Sequence, residues 1–242
     1  MFALQRPEPI EPMPSVTTTA ETWRQKLTRR LELWLIETSH HKVIDGLWVG
    51  ALNDPKLLPP IESALHLIKT CDPLRYARVS RDLDRIIVRV LPGEFAHFDP
   101  RLGVCCIDPR FVLAEMSSPE KIAATIVHEA THARLWRRGI RYEQEVRHRV
   151  EAVCYRRELA FSAKLPNGDG IREETLRSLS AYAKPESWSD DAVESRTVEG
   201  AAEALFHLGS PPWLTKVLLW IHRVVQGSRR FARDRKRLSD RA

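Results

Sequence analysis

Cysteine is scarce in this chain: 242 residues hold four, Cys71, Cys105, Cys106 and Cys154, none of them in a CxxC pair. The adjacent Cys105 and Cys106 would bridge each other only with strain, so a disulfide scaffold is not expected and a reducing compartment is. Apolar runs of membrane-span length, about 18 residues or more, are missing as well. The most apolar window, "WLTKVLLWIHRVV", is broken by Lys216, His222 and Arg223. The opening "MFALQRPEPIEPMPSVTTTA" has no basic start followed by a signal-type apolar core. Its prolines disfavour a helix, and residues 1–19 read as a disordered lead to a cytoplasmic protein. No internal repeat is visible.

One-sided charge is absent from the body of the chain. The formal net charge is +6, but "SRRFARDRKRLSDRA" at residues 228–242 carries seven Arg or Lys against two Asp, a local +5 that leaves +1 for everything before it. The whole chain is 43% hydrophobic, enough for a substantial core. Residues 20–227 are expected to form a single, mainly helical domain.

Periodicity places its elements. Trp23, Leu27, Leu31 and Leu35 recur at helical spacing over 20–37, and "SHHKVIDG" reads as a loop before a short apolar stretch at 46–51. Prolines bracket a helix at 60–71. Residues 85–91 and 102–107 read as strands, possible partners in a hairpin with a long loop, and Cys105 and Cys106 then face opposite sides. Ser118 as cap, Pro119 in the first turn and Glu120 near the positive end open a helix that Arg137, Arg138 and Gly139 close. Further helices are expected at 142–164, 171–183, 190–208 and 211–230.

The helix opened by Ser118 contains "IVHEATHARLW". At 100° per residue His128 and His132 lie about 40° apart, so both imidazoles reach toward one point from successive turns, as two ligands of a tetrahedral metal must. Glu129 falls among Ile122, Ile126, Ala133 and Trp136, in the apolar stripe, where a carboxylate needs a partner or a task. Proton transfer from a water bound to the metal is such a task. The alternative is a buried helix whose His, Glu and His are held by core hydrogen bonds alone.

"HEATH" resembles the HExxH motif of the zincin metallopeptidases, and "HEATHARL" is similar to a stretch in uncharacterised bacterial proteins. The resemblance covers roughly residues 60–166. It implies an α+β fold, a zincin-like core with a small β-sheet packed on the HExxH helix, plus additional N- and C-terminal helices. It implies Zn²⁺ as cofactor, His128 and His132 as ligands, Glu129 as general base, and a peptide or protein substrate paired with a sheet edge, the strand 102–107 or its neighbour. The glycine and third histidine of the metzincin pattern are replaced by Leu135 and Arg138, so the third ligand is expected from the next helix, as in gluzincins. Glu151, nineteen residues after His132, matches the thermolysin-like interval, with Glu143 as competitor. Tyr155 occupies the place of the aspartate that would support a zinc histidine there. Tyr142, His148, Tyr155, Tyr182 and His207 remain open as stabilisers of the oxyanion.

The C-terminal stretch supports a second function class. Trp213, Leu214, Val217, Leu218, Trp220, Ile221, Val224 and Val225 precede the basic tail, a pattern suited to a membrane surface or an anionic partner, or to a core helix with a solvated tail. In the first case the protein would be membrane-peripheral and the HExxH helix purely structural. No nucleic-acid-binding motif is present.

Overall fold

The computed structural model describes residues 22–52, 54–181, 188–211, 213 and 217. The expected lead at 1–19, the basic tail and nearly all of the expected helix at 211–230 lie outside these residues. Helix α1 (Trp23–Glu37) begins at a capping box formed by Thr22 and Gln25. It leads to strand β1 (His40–Ile44), which forms a hairpin with β2 (Leu47–Ala51). The two-residue link is Asp45-Gly46, both at positive φ (49° and 86°), the backbone that matches strand twist in tight hairpins. The expected loop at "SHHKVIDG" is therefore corrected to a strand and its turn. An exposed edge strand shows no apolar alternation, which is why "HHKVI" reads as loop.

The sheet has the order β1-β2-β3-β5-β4, with β3 (Arg85–Val88), β4 (Ala96–Asp99) and β5 (Val104–Ile107). β2, β3 and β5 run parallel, and β4 closes one edge antiparallel to β5. The hairpin expected between 85–91 and 102–107 is corrected: those strands are parallel neighbours, and the hairpin partner of β5 is β4. Near-total burial of β3 and β5 on both faces accounts for their continuous apolar runs. β5 is interior, so the edge lies on its neighbour β4.

Cys105 and Cys106 do point to opposite faces. Ile36 of α1 packs with Ile87, Leu91, Leu102, Val104 and Cys106 on one side. On the other side Ile86, Val88, Cys105 and Ile107 meet α2 (Leu58–Cys71), α3 (Pro73–Asp82) and α5 (Pro119–Arg137) in the main core. Helices α3 and α4 (Pro109–Leu113) were not expected from periodicity; Asp72 and Asp108 cap them, each accepting from a backbone N–H. α6 (Gln144–Ser162), α7 (Asp169–Ala181) and α8 (Asp190–His207) complete the described chain. Among the described residues the fold is thus α+β, eight α-helices around a small mixed five-stranded sheet.

Candidate metal centre between two helices

Helix α5 is built to lie deep. Ser118 accepts from Lys121 N at its start, and Gly139, at φ 83°, ends it by donating to the carbonyl of Trp136. Between them Ala123, Ala124, Ala130 and Ala133 are all buried. Small side chains let neighbouring elements approach the backbone, so the polar residues among them are carried into the interior.

After the turn at 138–143, α6 runs back antiparallel to α5 and supplies the facing side chains. Glu151, 5% exposed, sets one carboxylate oxygen 3.3 Å from His128 Nε2 and the other 3.4 Å from His132 Nε2. The three residues expected as ligands are thereby brought together. Glu143 is not among them: it occupies the exposed N-cap position of α6. Proximity to the turn decides between the two glutamates, because only a residue further along α6 lies opposite His128 and His132.

A second carboxylate, Glu158, was not anticipated. Its Oε2 lies 2.9 Å from His128 Nδ1, while its Oε1 accepts from Thr175 Oγ1 of α7 at 3.0 Å. Glu158 at Nδ1 and Glu151 at Nε2 thus flank both ring nitrogens of His128. Glu158 stands seven residues after Glu151, two turns along the same face, and that periodicity was the signal available. The interval of four instead lands on Tyr155, whose ring packs edge-on against His128 at 4.7 Å. Tyr142 packs edge-on against His132 at 5.4 Å, and its hydroxyl donates to Glu151 Oε1. Of the five oxyanion candidates, these two tyrosines reach the site; His207 lines a shallow cleft with Arg110, and Tyr182 lies outside the described residues.

Electrostatics follow from the packing. Burial works to raise the Glu151 carboxyl, but hydrogen bonds from His128 and His132 hold it well below the usual carboxylate range. Burial raises Tyr142, and the Glu151 charge raises it further. Glu129 is 6% exposed, and among the described residues no group hydrogen-bonds its carboxylate. Burial pushes its pKa up, opposed by His132 and His128. Cys154, one turn beyond Glu151, can bring its sulfur within 4.8 Å of both histidine nitrogens.

The donor set fits a divalent metal. Ligand bonds of about 2.0–2.1 Å in a tetrahedron separate neighbouring donors by about 3.4 Å. The separations of 3.3 and 3.4 Å, each from a different oxygen of Glu151, are of that size and are also hydrogen-bond distances. No protein family, no curated protein and no solved structure matches this chain.

Proposed function

We propose that the protein is a zinc-dependent hydrolase, most specifically a metallopeptidase of gluzincin type with a zincin-like core. The observation that carries this reading is the convergence of His128, His132 and Glu151 beside Glu129, a buried carboxylate that accepts no hydrogen bond among the described residues. Such a group is costly to bury unless a reaction uses it. A zinc ion held by the two imidazoles and Glu151 would supply Lewis-acid activation of water and polarise the carbonyl under attack.

The chain's own residues do the rest. Glu129 accepts the proton of the attacking water, a step helped by a carboxyl pKa raised by burial, and returns it to the leaving amine. Glu158, fixed by Thr175, holds the His128 ring. Tyr142 and Tyr155 wall the histidines, and the Tyr142 hydroxyl donates to Glu151 Oε1. β4, the antiparallel edge strand, offers unpaired backbone groups to an extended peptide.

Two measurements test the reading. Purified protein should carry about one zinc per chain, as two histidines and a carboxylate hold one ion, and the His128→Ala, His132→Ala double variant should carry none. Against an unfolded protein substrate, Glu129→Gln should lose roughly 10²- to 10⁴-fold in rate while keeping its zinc. Full activity in Glu129→Gln would remove the general base from the scheme.

The position of Cys154 favours a second reading. With a thiolate in the fourth place the site would be closed and purely structural, since catalytic zinc keeps one open position. Cys154→Ala distinguishes the two: zinc and hydrolysis persist if the site is open, whereas zinc is lost if the sulfur is a ligand.

A further inference from the structure

Helix α1 has two opposed faces. Leu33 and Ile36 pack toward the sheet, Arg29 Nε donates to the Arg101 carbonyl at 3.1 Å, and Glu32 meets Arg101 at 3.8 Å. On the other side Trp23, Leu27, Leu31, Trp34 and Leu35 are 69, 51, 53, 60 and 50% exposed. At 100° per residue these five fall within about 120° of arc, roughly opposite the packed face. An apolar stripe that turns away from its own core is unusual on a helix already anchored to a sheet.

The charges around the stripe say what covers it. Lys26 and Arg30 are exposed along one border, and Arg24 lies within the stripe with its guanidinium over the Trp23 ring. The acids of the helix are engaged elsewhere, Glu32 with Arg101 and Glu37 with Arg85 at 3.2 Å. Two copies meeting stripe to stripe would press these cations together with no acid between them. The basic segment 228–242 of the same chain, at +5, is repelled in the same way.

We propose that the outward face of α1 docks the protein on an anionic lipid surface. Tryptophans near both ends of the stripe suit the headgroup boundary, the leucines between them suit the outer acyl layer, and the flanking cations meet lipid phosphates. The basic tail has the sign to reach the same surface. This docking is independent of the metal centre, which lies on the opposite side of the sheet.

Full-length protein should co-sediment with vesicles of phosphatidylcholine and phosphatidylglycerol, weakly with phosphatidylcholine alone, and less at high salt. Leu27→Glu, Trp34→Glu should reduce that partitioning at least roughly tenfold. Zinc content and melting temperature should be unchanged, because both side chains are exposed. Trp23→Phe, Trp34→Phe keeps the stripe apolar; it should bind vesicles like the wild type yet lose much of the tryptophan quenching by acyl-brominated lipid. The proposal is overturned if the wild type ignores anionic vesicles or if Leu27→Glu, Trp34→Glu binds them equally well. It is overturned too if the protein forms a dimer that this variant dissolves, or binds soluble polyglutamate as tightly as vesicles.

Discussion

Glu129 is the residue whose chemistry is hardest to explain structurally. Its neighbours Ile126 and Ala130 are core residues, and its carboxylate finds no donor among the described residues. His128, by contrast, is held at both ring nitrogens, through Nδ1 by Glu158 and through Nε2 by Glu151. On the proposed reading the two glutamates of α6 have different tasks: Glu151 would offer its oxygens to the metal, and Glu158 would orient His128. Removing Glu158 should therefore weaken the site without deleting a donor. In Glu158→Ala zinc affinity should fall roughly 10- to 100-fold, measured by competition with a chromogenic chelator. Glu158→Gln, which still accepts from the ring N–H, should recover part of the loss. An unchanged affinity in both would deny Glu158 any role at the centre.

At the scale of elements, α5 and α6 were legible because their signals are local. The Ser118 cap, the Gly139 stop and the spacing of His128, Glu129 and His132 all lie within one helix. The sheet was less legible. β1 has an exposed, polar sequence that only pairing to β2 makes a strand, and the parallel register of β3 and β5 depends on contacts between distant segments. The choice of Glu151 over Glu143 rests on how the turn at 138–143 returns α6 along α5, which periodicity does not encode. Glu158 was missed since its partner Thr175 belongs to another helix. A further contact of this non-local kind joins α8 to the loop after β3: a Cβ on Gly200 would strike the backbone of Gly93. Gly200→Ala is expected to destabilise the fold by about 1–3 kcal/mol, read as a lower urea midpoint. A wild-type midpoint would show that α8 does not need this close approach.

For the whole molecule, the sheet separates two surfaces. One face carries the HExxH helix and the main core, the other carries α1 and its exposed stripe. Among the described residues no helix is long and apolar enough to cross a membrane. Global stability has its own acid limit. Burial alone would raise Asp108, yet the Arg110 side chain and the backbone N–H groups of Leu91 and Arg110 hold it below its usual 3.8. Asp72 and Asp99 are also lowered: burial opposes this, and hydrogen bonds from Lys164 and Arg75 to the first, and from Arg101 to the second, outweigh it. A folded pKa below the unfolded one gives stability that is present above about pH 4 and lost as pH falls through the folded values. The melting temperature should accordingly drop below about pH 4, and Asp108→Asn should be less stable at neutral pH with a flatter acid limb. Parallel acid limbs for the two proteins would contradict that assignment.

The central claim concerns which atoms hold the metal, and zinc X-ray absorption on the purified full-length protein reads them directly. A first shell of nitrogen and oxygen at about 2.0–2.1 Å, with histidine scattering and no sulfur, is the expected result for His128, His132, Glu151 and an open position. A sulfur shell at about 2.3 Å would make Cys154 a ligand and the site structural, and protein that holds no zinc would contradict the metal centre itself.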